Sequence, residues 1–127
     1  IAARNPEAAL DRLDRASSLN PLSPLPDKAA GIIELRRGRY PAAEQKLRAA
    51  LERDPDDSGL HLLLGVLASQ AGRQREAVRL IRESTRMAPL DEVAGESLQR
   101  AEGGDRLDPL EADREIQEDV AGRIGPE

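Results

Sequence analysis

The chain has no cysteine, tryptophan or phenylalanine, and Tyr40 is its only aromatic residue. Without cysteine there is no disulfide and no thiolate metal ligand. The redox compartment stays open, because a domain of 127 residues needs no covalent staple in either environment. Without rings there is little to stack on sugars or bases, and the core must be built from Leu, Ile, Val and Ala. That favours close helix packing over a sheet, which draws on β-branched and aromatic residues. A single histidine, His61, rules against a transition-metal cluster. No stretch approaches the roughly 18 consecutive apolar residues of a membrane-spanning helix, so no direct membrane insertion is expected of this segment. No secretory signal pattern is visible. The first residue is Ile1, and the expectation is a segment of a longer or processed protein, with room upstream for a signal or membrane part.

Charge is plentiful but unevenly placed. The net charge is −5. Residues 1–101 hold 16 basic and 15 acidic side chains, a net of +1, whereas residues 102–127 hold 3 and 9, a net of −6. A nucleic-acid binder calls for a basic, ring-bearing surface, and this chain offers neither. No nucleic-acid partner is expected.

Order shows itself in the prolines. "DRASSLNP", "LRAALERDP" and "RESTRMAP" each close a run of helix formers, and Pro21, Pro55 and Pro89 are 34 residues apart. A fixed period of that length marks a repeat architecture. At equal offsets before the three prolines stand Ala9, Leu13 and Ala16; Ala43, Leu47 and Ala50; and Ala77, Ile81 and Ser84. Small, large, small at i, i+4 and i+7 is one stripe of a helix. It lets a neighbouring helix come close, with the large residue filling the gap. Between these helices lie "DKAAGIIELRRG" and "LHLLLGVLASQAG", with Gly31 and Gly65 again 34 apart. A glycine inside a helix costs about 1 kcal/mol against alanine, so its recurrence points to close helix contact. The unit is helix, short turn, helix, proline-marked turn.

These residues resemble the tetratricopeptide repeat over roughly residues 5 to 100. The residues that carry the resemblance are Gly31, Gly38, Tyr40, Ala43, Leu47, Ala50 and Pro55 in one unit. Leu64, Gly65, Gly72, Ala77, Ile81 and Pro89 carry it in the next. Asp27 and His61, and further on Glu34 and Ala68, stand where the family places large aromatics. The resemblance implies an all-α, right-handed α-solenoid of antiparallel helix pairs, with about seven helices. Repeats fill residues 1–105: a partial unit over 5–21, full units over 22–55 and 56–89, and a partial unit over 90–103. Residues 106–127 read as one more, acidic helix, with Asp108 as N-cap and Leu110, Ile116, Val120 and Ile124 as its apolar stripe. Solenoid ends need polar-faced caps, and this helix is the candidate for capping or for filling the groove.

In the resembled family the first helices of successive units line a concave groove for peptides or helices. Carried over by register, the inward residues are Lys28, Ile32, Leu35 and Arg36 in one unit and Leu62, Leu63, Val66 and Gln70 in the next. The partner expected is a protein or peptide helix, or the chain's own acidic C-terminal helix. A homodimer closing over the unfinished repeat end is a further option. Ile32 and Val66 occupy places where carboxylate-clamping members need Asn, so that mode is not expected.

No enzymatic constellation is visible, and neither a cofactor nor a metal is expected. No Ser-His-Asp spacing occurs. "RDPDDSG" lacks calcium-loop spacing and a closing Glu, and "AEGGDR" has no phosphate-loop context. His61 reads as an inter-helix packing residue. "LDRASSLNPLSPLP" ahead of two repeats is similar to the soluble tail of O-antigen ligase or polymerase-type envelope proteins of high-GC bacteria, and 17 Arg against 2 Lys fits such a genome. That resemblance implies a membrane-embedded parent enzyme upstream, with this tail organising partners at the bacterial inner membrane or, alternatively, serving as a regulatory domain of that glycan-processing enzyme.

Overall fold

The structure, a computed structural model, describes residues 5–123. Those residues form seven α-helices and no strand. In chain order they are α1 (Pro6–Leu19), α2 (Leu25–Arg36), α3 (Tyr40–Arg53), α4 (Ser58–Gln70), α5 (Gln74–Met87), α6 (Glu92–Glu102) and α7 (Pro109–Arg123).

The sequence period is a backbone period. α1, α3 and α5 begin at residues 6, 40 and 74 and end at 19, 53 and 87. Just past them Asn20, Asp54 and Ala88 have φ of −137°, −139° and −133° and ψ of 76°, 76° and 74°. Their N–H groups donate to the carbonyls of Ala16, Ala50 and Ser84. Each is followed by a proline, which pushes the preceding residue out of helical geometry and stops the helix there. Gly38 and Gly72, with φ of 75° and 86°, close α2 and α4 in the left-handed region. The starts of the even helices repeat as well. Leu25 N–H donates to Ser23 Oγ at 3.3 Å, Leu60 N–H to Asp57 Oδ1 at 3.1 Å, and Val93 N–H to Asp91 Oδ1 at 3.0 Å. Ser23, Asp57 and Asp91 are again spaced by 34, and each supplies an acceptor to an orphan backbone donor.

The chain divides into two compact units, Ile1–Leu60 and His61–Glu127, with the boundary inside α4. In the first unit α2 packs against both α1 and α3. Ala43, Leu47 and Ala50 of α3 are fully buried. Gly31 of α2 is the seat for Leu47: a Cβ there would lie 2.6 Å from Leu47 Cγ and Cδ2 and 3.3 Å from the Ala43 carbonyl oxygen. The equivalent stripe of α1, Ala9, Leu13 and Ala16, is only half-buried.

In the second unit the same device recurs. A Cβ on Gly65 would lie 2.5 Å from Ile81 Cγ1 and 3.2 Å from the Ala77 carbonyl oxygen. Ala77, Ile81 and Ser84 of α5 are fully buried. Every residue of α4 from His61 to Ser69 is buried, as expected of a helix that is apolar all round. α6 packs against α5 and α7. The core here joins Leu62 and Val66 of α4, Ile81 of α5, Val93, Ala94 and Ala101 of α6, then Leu107, and Ala112 of α7.

α7 differs from its reading in sequence. Its buried set is Pro109, Ala112 and Asp113, with Ile116 half-buried. Leu110 is 41% exposed and Val120 49%. At about 100° per residue, Leu110 sits roughly 140° from the Ala112–Ile116 line, so it faces out. Ile124 lies outside the described residues.

Candidate partner-binding faces

The face of α2 carrying Lys28, Ile32 and Arg36 belongs to the first unit. All three are half-buried, whereas Leu35 is fully buried. Lys28 Nζ bonds Asp57 Oδ2 at 2.6 Å. Asp57 therefore serves twice, capping α4 with one oxygen and holding Lys28 with the other. Asp27 and Glu34, which replace aromatics of the resembled family, are buried. They are matched by charge: Asp27 pairs with Arg53, and Glu34 with Arg37 at 3.2 Å. An ion pair takes the place of ring packing, because a buried carboxylate persists only with a hydrogen-bonded counter-charge. Ile32 keeps part of its surface in solvent, with Lys28 and Arg36 four residues to either side on the same helix face.

The corresponding face of α4 lies in the second unit and is covered. Leu62, Leu63 and Val66 are at most 5% exposed, and only Gln70 is half-buried. Leu62 and Val66 share their buried cluster with Leu107 and Ala112, and Ile116 packs against it. The cover is pinned at the end of α4. Ser69, fully buried, accepts a hydrogen bond from Leu107 N–H at 2.9 Å and donates to the Asp105 carbonyl at 3.3 Å. Gln74 Nε2 donates to the same carbonyl at 3.1 Å.

The outer side of this cover is acidic. Arg100 of α6 lies 3.6 Å from Asp105 and 3.7 Å from Glu111. Burial holds the Glu115 carboxyl above its ordinary range. A hydrogen bond that the protonated Glu115 donates to the Glu111 carboxylate and the like charges of Glu111 and Glu96 push the same way, against Arg100. Glu83 of α5 moves the other way, lowered by its hydrogen bonds to Arg86. Among the described residues no group of three or more His, Asp or Glu is arranged to hold a metal ion, and no helix is long and apolar enough to cross a membrane.

The remaining positions carried over by the resemblance, Tyr40, Pro55 and Pro89, are at the repeat turns. Tyr40 is half-buried, and the two prolines are exposed. Sequence reading missed Asp57, Ser69 and the Asp27–Arg53 pair. The 34-residue spacing of Ser23, Asp57 and Asp91 was the available signal for the first.

Comparison with known proteins agrees with this architecture. A family model described as a tetratricopeptide repeat matches residues 28–92. Among solved structures, one titled "Crystal structure of MamA protein" superposes with a TM-score of 0.71 at 18% identity. The match covers 96% of this chain and 69% of that one. No curated protein sequence matches the chain.

Proposed function

The chain belongs to the tetratricopeptide-repeat family, and from that premise we propose that it is a non-enzymatic interaction module that binds a peptide or helix of a partner protein. The all-α fold of antiparallel helix pairs is that of a protein-interaction scaffold. The observation that supports a specific site is the α2 face, where Ile32 is partly open between Lys28 and Arg36. An amphipathic helix with anchors at i, i+3 and i+4 and an acidic flank suits it. Leu35 continues this register in the first unit, and Leu62, Leu63, Val66 and Gln70 hold the equivalent repeat positions in the second.

The setting we propose is the soluble part of an envelope-polysaccharide ligase or polymerase, in which this segment gathers partners while an upstream membrane region does the chemistry. Residues 13–26 and the arginine bias support it. Ile32→Glu tests the binding face. The helical CD spectrum stays intact, because Ile32 is only half-buried, and capture of a partner identified with the unsubstituted protein is lost. Retained capture moves the contact away from α2.

A further inference from the structure

The Leu62–Val66 face carries a deeper inference, which rests on the reading just given. α7 falls where the next helix of the α1, α3 and α5 type belongs. It begins at residue 109, against 74 for α5. Yet the residues 34 after Ala77, Ile81 and Ser84 are Glu111, Glu115 and Glu118. Carboxylates cannot take the place of that small, large, small stripe without a heavy desolvation cost. The helix instead turns inward one residue on, with Ala112 buried and Ile116 packed on the cluster. The seal is thin. Ile81 is fully buried, whereas its counterpart Ile116 is only half-buried.

The charges around it do not close the gap. Glu115 of α7 feels the like charges of Glu111 on its own helix and of Glu96 on α6, and Asp108, Glu111 and Glu115 line one shallow recess together with Arg100. Arg100 is the cation facing them, and it is shared with Asp105. α4 contributes only His61 as a titratable group, and His61 acts on Glu83 of α5.

We propose that α7 is a displaceable, built-in stand-in for a partner helix on the Leu62–Val66 face of α4. The partner it fits is an amphipathic helix with a small residue and an Ile or Leu four positions apart, in the places of Ala112 and Ile116. The places of Glu111, Glu115 and Glu118 carry uncharged residues. Such a helix repeats the apolar contacts of α7 and lacks its carboxylate repulsion. α7 has the advantage of being tethered, so whatever loosens it strengthens partner binding. Protonation of Glu115 tightens α7, and displacement is easier near neutral pH than in mild acid.

The test uses the full chain and a labelled synthetic peptide of residues 106–123 carrying Glu111→Gln, Glu115→Gln and Glu118→Gln. Anisotropy reads binding, and amide exchange reads α7. The peptide binds at pH ~7, and α7 loses protection as it does. Ile116→Glu in the chain tightens peptide binding by about tenfold, and lowering the pH towards 4.5 weakens binding to the unsubstituted chain by about twofold. Two results overturn the proposal: no binding to the Ile116→Glu chain while its CD spectrum is intact, or binding that leaves α7 protected. Either one, combined with loss of partner capture in Ile32→Glu, sinks the stand-in alone. Peptide binding combined with an inert Ile32→Glu sinks the α2 site instead.

Discussion

α5 and α7 each follow a helix of the same class, yet they are held in different ways. α5 sinks Ala77, Ile81 and Ser84 completely, with Ile81 against a glycine that leaves no room for a methyl group. α7 has three glutamates at those offsets and is held by Pro109, Ala112 and Asp113, with Ile116 half-buried. At the position of Gly65 the preceding helix α6 carries Gln99, which is exposed. The seat that receives α5 is absent there. A repeat helix is kept by complementary shape on both sides of the contact, and a sequence that changes both sides makes a helix that can leave.

The comparison can be broken most directly by truncating the two isoleucines. Ile81→Ala opens a cavity in a fully packed site and costs about 4 kcal/mol in urea unfolding. Ile116→Ala removes a half-exposed side chain and costs about 1 kcal/mol. Equal losses would mean that α7 is as firmly built in as α5. Next in size is Gly65→Leu. Its side chain meets Ile81 and the Ala77 carbonyl, and the overpacking costs about 3 kcal/mol. An unchanged unfolding midpoint would remove the glycine seat from the account.

The paired-helix fold was legible because three independent signals shared one period: proline stops, small-large-small stripes and helix-interior glycines. Each acts locally, through a missing N–H, a side-chain volume or a missing Cβ, so each survives in one sequence read alone. The binding faces were less legible. Register names Leu62 and Val66, but the cluster that buries them draws on α5, α6 and α7, and the hydrophobic residues of α7 mislead. Leu110 is the first large apolar residue of that helix and faces out, whereas Ala112 and Pro109 do the burying. Small residues give a weak signal in sequence and a strong one in packing. Asp27 misleads in the opposite sense, as a charged residue that is buried because Arg53, 26 residues on, meets it.

A smaller effect sharpens the comparison through pH. The folded-state pKa of Glu115 is raised, so its contribution to α7 docking is fully present below the unfolded value, near 4.5, and is lost as pH rises through the folded value. Glu83, lowered by Arg86, contributes with the opposite sign. A global melting curve therefore mixes the two, and the readout has to be local to α7. Glu115→Gln keeps the neutral form at every pH. At pH ~7 it slows exchange of α7 amides about twofold, the size of one like-charge helix pair, and it flattens their pH dependence. An α7 that exchanges identically with Glu or Gln at this position would remove the carboxylates from the mechanism.

The most direct measurement is native-state amide exchange of the full chain at pH ~7 in low, increasing denaturant. The expected result is that α5 amides exchange only through global unfolding, while α7 amides open in a separate, cheaper step that exposes the Leu62–Val66 face. A single opening free energy shared by α5 and α7 would contradict it.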